Sequence, residues 1–201
     1  MPLITFEGID GCGKTTQIER LSEYLKSRGL KYSVFREPGG TEIGEQIRKV
    51  LLDESNVKMH PKTEFLLYAA SRAQLIEEKV KPRLLNGEYV ILDRYVDSSV
   101  AYQGFARGLG KRIVTLVNEF ATDMIYPDLT FYLEIDKITF ERRTRKKKDR
   151  LESEGWSFME KVIKGYDSLK KTKRFVSIDG RLDEEKIFEI IVKEFERRFA
   201  L

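Results

Sequence analysis

Gly8-Ile9-Asp10-Gly11-Cys12-Gly13-Lys14-Thr15-Thr16 decides the fold. An apolar run, Leu3 to Phe6, leads into it, and a patterned segment, Gln17 to Arg28, leaves it. The spacing G-x-x-x-x-G-K-T, set between a strand and a helix, is that of a P-loop. Its glycines let successive backbone N–H groups turn inward around phosphate oxygens with no Cβ in the way. The helix starting near Lys14 adds unpaired N–H groups and the positive end of its dipole. Lys14 is placed to reach the β and γ phosphates, and the Thr15 hydroxyl to hold Mg²⁺. Gly8 to Thr16 are therefore predicted to cradle a nucleoside triphosphate such as ATP.

Around this loop, a chain of 201 residues has room for one sizeable core and is short for two, which predicts a single domain over 1–201. It is 41% hydrophobic, as a globular fold requires, and 35% charged, which implies a heavily ionic surface. The net charge of +4 is modest and its signs are interspersed, so the total does not imply a nucleic-acid partner. A local basic site for an anionic ligand is compatible with it. The only cysteine, Cys12, excludes an intramolecular disulfide. The N-terminus enters a strand almost at once, no apolar run reaches bilayer length, and the expectation is a cytoplasmic protein with no membrane partner. No internal repeat, low-complexity tract or linker interrupts the chain.

Beyond the P-loop helix, Gly29 is a helix end and Lys31 to Arg36 reads as a short strand. Glu37-Pro38-Gly39-Gly40 must turn, and Thr41 can N-cap a helix to about Leu52. A longer helical pattern runs from Lys62 to about Leu85, with Pro61 at its start and Pro82 expected to kink or end it. Glu88 to Asp93 is continuously apolar at its centre, as a strand buried on both faces reads. Lys111 to Thr122 is helical, Leu129 to Ile135 a strand, and Lys137 starts another helix. Phe158 to Lys171 is helical, Arg174 to Ile178 a fifth strand, and Asp183 to Phe199 a closing amphipathic helix. Strands alternating with helices predict an α/β fold: a doubly wound, mainly parallel five-stranded sheet flanked by helices. Ligands then collect at the carboxyl ends of the strands, where the P-loop, Arg36-Glu37 and Asp93-Arg94 all fall.

Asp93 ends an apolar strand, where a carboxylate can hold Mg²⁺ opposite Thr15 or merely cap the next helix. Arg94 can bind a second phosphate or stabilise a transferring group. Arg36 and Arg48 add cations, although Arg48 by itself reads equally as a solvated helix residue. Tyr68 and Arg72 share a helix face and would suit a base pocket or a core. The run Arg142 to Arg150, with seven cations in nine residues, is a solvated face, a nucleic-acid patch or a lid over a triphosphate, at about 142–154. Cys12 would have its thiol activated if the local positive field prevailed. The single histidine, His60, makes no metal site. The readings left open are a nucleotide or deoxynucleoside kinase and a nucleotide-switched nucleic-acid-binding protein.

Several motifs together resemble the thymidylate kinase family over essentially the whole chain. They are Gly8 to Thr16, Arg36-Glu37-Pro38-Gly39-Gly40-Thr41, Ala69-Ala70-Ser71-Arg72, Asp93-Arg94-Tyr95 with Ser98 to Gly104, and Asp149-Arg150. The resemblance implies transfer of the γ-phosphoryl of ATP to dTMP with Mg²⁺, on a P-loop kinase fold, as a homodimer. It implies that Asp10 contacts the acceptor's 3′-hydroxyl and that Glu37 sits near the acceptor and its metal-bound water. Arg36, Arg48 and Arg94 would surround the dTMP phosphate, while Arg72, Gln103 and Ser99 would meet the thymine edge. Tyr102 would pack under the deoxyribose and exclude a 2′-hydroxyl. Tyr68 stands where many members stack a phenylalanine on thymine, and Ser99 where some carry asparagine. Gly11 replaces the P-loop arginine of eukaryotic-type members; the bacterial type supplies lid cations instead, a pattern that Arg143, Arg145 and Arg150 match.

Overall fold

The structure, a computed structural model, describes residues 2–144, 150–151 and 154–200. Among them, five strands form one parallel sheet: β1 (Leu3–Glu7), β2 (Tyr32–Arg36), β3 (Tyr89–Asp93), β4 (Leu129–Glu134) and β5 (Phe175–Asp179), in the order β2-β3-β1-β4-β5. Parallel neighbours need crossovers, and the chain supplies helices for them. These are α1 (Lys14–Ser27), α2 (Glu42–Leu52), α3 (Pro61–Leu75), α4 (Lys81–Leu85), α5 (Val96–Ser99), α6 (Lys111–Thr122), α7 (Lys137–Arg143), α8 (Trp156–Asp167) and α9 (Glu184–Phe199).

Alternating side chains of the central strands feed two cores. Ile4, Phe6, Ile91, Phe131 and Leu133 pack with Leu21 and Leu25 of α1, Ile187 and Ile191 of α9, and Met159 and Val162 of α8. Leu3, Val90 and Leu92 face the opposite way, onto Leu75, Ile76, Val80 and Leu84. This two-sided burial is why β1 and β3 read as unbroken apolar runs.

Local chemistry sets the ends of the elements. Thr41 Oγ1 accepts from Gly44 N at 2.9 Å and starts α2, as the sequence predicts. Asp136 Oδ1 does the same for α7 through Thr139 N at 2.8 Å. The expected break at Pro82 takes another form: α3 widens into a π-helical turn, Ile76–Val80, and continues as α4 with Pro82 in its first turn. The wider turn accommodates a residue with no N–H to give. The helix near the C-terminal third covers Trp156–Asp167 instead of Phe158 to Lys171, because Gly155 in a positive-φ conformation (79°) starts it.

One helix has no counterpart in the sequence reading. α5 runs straight into a π-helical turn, Val100–Ala106, almost all of it buried. Its Ser-Ser pair, its glycine and its lack of a polar face conceal the helical period. It carries Ser98, Ser99, Tyr102 and Gln103.

Candidate active site

Register brings the chemistry to one edge. Phe6 pairs with Asp93, and Arg36 also pairs with Asp93, so the P-loop after β1 lies beside the ends of β2 and β3. There, at the point where the chain order reverses about β1, opens a cavity of about 520 Å³. Asp10 to Thr16, Arg36, Glu37, Arg48, Tyr68, Arg72, Asp93, Arg94, Ser99, Tyr102, Gln103 and Arg143 all line it.

The P-loop is held open from within. Gly8 has φ 138°, and a Cβ there would lie 2.5 Å from the Leu133 carbonyl oxygen, inside β4. Lys14 is buried and its Nζ donates to Gly8 O at 3.1 Å, so its ammonium is folded back over the loop. Thr15 is exposed at the start of α1. Cys12 corrects the thiol expectation: it is 1% exposed, and burial pushes the thiol up against the pull of Lys14 and Arg94. It is a packing residue, not an activated nucleophile.

Arg94 adopts φ 69°, in the left-handed region, which points its side chain back across the P-loop. Nη1 donates to Gly8 O at 2.9 Å and Nη2 to Asp10 Oδ1 at 2.6 Å. Burial favours a neutral Asp10, but Arg94 and Lys14 outweigh it and hold the carboxyl below its usual range. Arg143, at the end of α7, reaches Gly11 O at 3.1 Å and Gly180 O at 3.0 Å, joining the basic segment to the P-loop.

Asp93 does not cap the next helix: the N-cap there is Tyr95, whose backbone N–H donates to Glu7 Oε1 at 2.8 Å. Its Oδ1 is instead buried with no hydrogen-bond partner. An orphaned carboxylate oxygen beside a P-loop fits a hard cation, as does the exposed hydroxyl of Thr15. Among the described residues no group of three or more His, Cys, Asp or Glu forms a ligand cage. Mg²⁺ does not require one, since phosphates and waters complete its shell.

At the other end of the cavity, Arg36 Nη2 donates to both carboxylate oxygens of Glu45, at 3.1 and 3.0 Å, and Arg48 Nη1 donates to Pro38 O at 2.8 Å. Tyr68 lines the wall, and the Tyr102 ring stands 5.3 Å from Arg94 Cζ with its buried hydroxyl unpartnered. Arg72 is 1% exposed and fully engaged: with Glu37 at 2.6 and 2.8 Å, Asn118 at 2.6 Å, Ser99 at 3.0 Å and Tyr95 O at 3.1 Å. It holds Glu37 at the cavity wall, and a base reaches it only by exchanging one of these bonds. Burial still pushes the Glu37 carboxyl up despite Arg72, and Glu37 Oε1 is left without a partner.

Arg145 lies outside the described residues, as do 146–149 and 152–153. Arg150 is corrected: it is buried away from the P-loop, donating from Nε to Leu51 O at 2.9 Å and pairing with Glu64 at 2.8 Å. The buried carboxylate on α3 neutralises its charge there. Among residues the sequence reading missed, Leu182, Glu184 and Ile187 line the cavity next to Gly180, while Arg181 turns away to Asp179 and Asp136. Ile187 sits on the apolar face of the closing helix and so reads as core, while Leu182 and Glu184 at that helix's start belong to no motif.

A family model described as thymidylate kinase matches residues 6–191. The chain belongs to the thymidylate kinase family. It is similar to the thymidylate kinase of Caldanaerobacter subterraneus subsp. tengcongensis, with 51% identity over 196 residues, covering 96% of this chain and 94% of that one. The thymidylate kinase of Thermoanaerobacter pseudethanolicus is 53% identical over 192 residues, 94% of each chain, and that of Thermosipho africanus 52% identical over 187 residues, 92% of each. Membership gives the P-loop, the Asp93-Arg94 edge and the wall formed by α5 and its π-helical turn a common context, that of a thymidylate kinase.

Proposed function

We propose that this chain, as one kinase domain over 1–201, transfers the γ-phosphoryl group of ATP to dTMP, giving ADP and the dTDP needed for dTTP synthesis. The observation that carries this reading is one continuous cavity. It runs from Lys14 and Thr15 to Tyr68 and Gln103, with Arg94 between, in a member of the thymidylate kinase family.

An oxygen of the dTMP 5′-phosphate attacks the γ-phosphorus as the bond to the β–γ bridging oxygen breaks. The acceptor is already ionised, so charge repulsion and alignment are the obstacles and no strong base is required. The amides of Gly8 to Thr16 hold the triphosphate, and Lys14 exchanges Gly8 O for its β and γ oxygens. Arg94 faces the transferring group, and Arg143 approaches the loop from the basic segment, where Arg145 adds charge. Arg36 and Arg48 hold the acceptor phosphate, Asp10 its 3′-hydroxyl, and Tyr102 closes the space where a ribose 2′-hydroxyl would be. Tyr68 stacks on the base, with Gln103, Ser99 and the Arg72–Glu37 pair at its edge. Thr15 and Asp93 would hold Mg²⁺, which neutralises phosphate charge when bound.

The proposed setting is the cytoplasm, with small nucleotides as the partners; no helix among the described residues is long and apolar enough to cross a membrane. Leu66 of α3 and Ile113, Leu116 and Phe120 of α6 are exposed, and this apolar stripe supports a homodimer. A coupled assay with dTMP, dUMP, CMP, AMP and thymidine tests the reading. Turnover is expected with dTMP foremost; preference for any other acceptor, or none, overturns it.

A further inference from the structure

Glu64 lies on α3 with its side chain wholly buried, and the reaction above gives it no task. Its Oε1 accepts from Gln103 Nε2 at 2.9 Å and from Arg107 Nε at 3.3 Å. Its Oε2 accepts from Arg107 Nη2 at 3.1 Å and stands 2.8 Å from Arg150 Nη2. A carboxylate between two guanidinium groups accepts hydrogen bonds and has none to give.

That chemistry removes a freedom from Gln103. A glutamine amide can ordinarily present either its oxygen or its nitrogen to a ligand, because the two ends have the same shape. Here the nitrogen must face Glu64. The reverse orientation would set the amide oxygen against the carboxylate oxygen with no proton between them, in a buried place where that is costly. The carbonyl Oε1 is the end left for the cavity that Gln103 lines.

The geometry points to Glu64 as a specificity-determining positioning residue: it fixes Gln103 Oε1 as a hydrogen-bond acceptor toward the incoming base. The inference rests on the dTMP reading above and names how that site chooses its base. An acceptor at this position selects a pyrimidine whose ring N3 carries a proton and rejects one whose N3 is a bare lone pair. Thymine and uracil are of the first kind, and cytosine is of the second. Glu64 therefore contributes nothing to the choice between thymine and uracil, which differ at the 5-methyl. Arg107 and Arg150 keep the carboxylate in place, and Arg107 is itself held by Glu154 at 2.5 Å.

The test is Glu64→Gln, whose amide can give or take a hydrogen bond and so lets Gln103 turn over. Initial rates with dTMP, dUMP and dCMP are compared for wild type and variant. The ratio of kcat/KM for dTMP over dCMP is expected to fall by roughly tenfold or more, chiefly through KM, while dTMP over dUMP stays within about twofold. An unchanged dTMP over dCMP ratio overturns the inference, as does a parallel shift of both ratios, which would indicate a loosened pocket. A wild type inactive on dTMP overturns the functional reading itself, whatever the variant does. Should the variant not fold, the wild-type enzyme still decides the matter. With ¹⁵N-labelled protein bound to dTMP, the Gln103 side-chain amide, assigned by its loss in Gln103→Leu, should exchange its protons slowly. An amide exchanging as fast as those of exposed glutamines overturns the assignment.

Discussion

Arg94 combines a left-handed backbone, bonds to Gly8 O and Asp10, and a position between the two halves of the cavity. Replacing it with glutamine keeps a polar side chain and removes the charge. Turnover is expected to fall on the order of 10²–10³-fold with a smaller change in KM for ATP, measured in the coupled assay. Directly beneath it, Glu7 is fully buried and accepts from Tyr95 N at 2.8 Å, Ser98 Oγ at 2.6 Å and Tyr166 OH at 2.8 Å. Burial, and then the charge of Asp97, push its carboxyl up from 4.5 to about 7, against the pull of Arg94. Arg174 neutralises Asp97 across the same buried layer, at 2.6 and 2.7 Å. Between those two values the folded chain holds a proton that the unfolded chain releases, so this contribution to stability is lost as pH rises from about 4.5 to about 7. Glu7→Gln should gain stability relative to wild type across that window, by on the order of 3 kcal/mol at most, in denaturant unfolding at pH 5 and pH 8. A difference independent of pH would remove the titration from Glu7.

Among the elements, the buried α5 segment depends on α8. A Cβ on Gly165 would lie 2.6 Å from Ala101 Cα, so the two helices touch backbone to backbone. Gly165 has ordinary helical geometry, so only this contact demands a glycine. Gly165→Ala must push apart the helix that carries Tyr102 and Gln103, and overpacking of this kind costs about 1–3 kcal/mol. The expected outcome is a lowered Tm together with a raised KM for dTMP and a nearly unchanged KM for ATP. Loss of stability without the KM effect would separate α8 from the acceptor wall. The sequence could show the period of α8 and the polarity of Gln103, but not that one presses on the other's helix. That contact joins residues far apart in the chain, and no local pattern encodes it.

At the scale of the whole molecule, the apolar stripe on α3 and α6 is the feature the monomer does not use. Phe120, near the end of α6, is its most exposed residue, at 88%. A charge there has no effect on the monomer core and opposes burial against a second copy. Phe120→Glu is therefore expected to convert a dimer into a monomer in light scattering after size exclusion, with circular dichroism unchanged. A wild-type monomer would overturn the proposed homodimer, and a variant still dimeric would move the interface elsewhere.

By itself, the amino-acid sequence determined the parallel sheet, the P-loop and the strand-end residues Arg36, Asp93 and Arg94. Each of these is written in local patterns: buried strands in continuous apolar runs, phosphate loops in glycine spacing, and helix starts in capping residues such as Thr41. Only the tertiary structure decided what the buried charges do. Arg72 and Arg150 are plain cations in the sequence, and only the fold pairs them with Glu37 and Glu64, because a desolvated guanidinium binds whichever carboxylate folding brings to it. The same low-dielectric burial keeps Cys12 inert despite its cationic neighbours, and leaves Asp93 Oδ1 and Glu37 Oε1 without partners at the cavity wall. Charge and spacing are local properties of a chain; desolvation belongs to the fold.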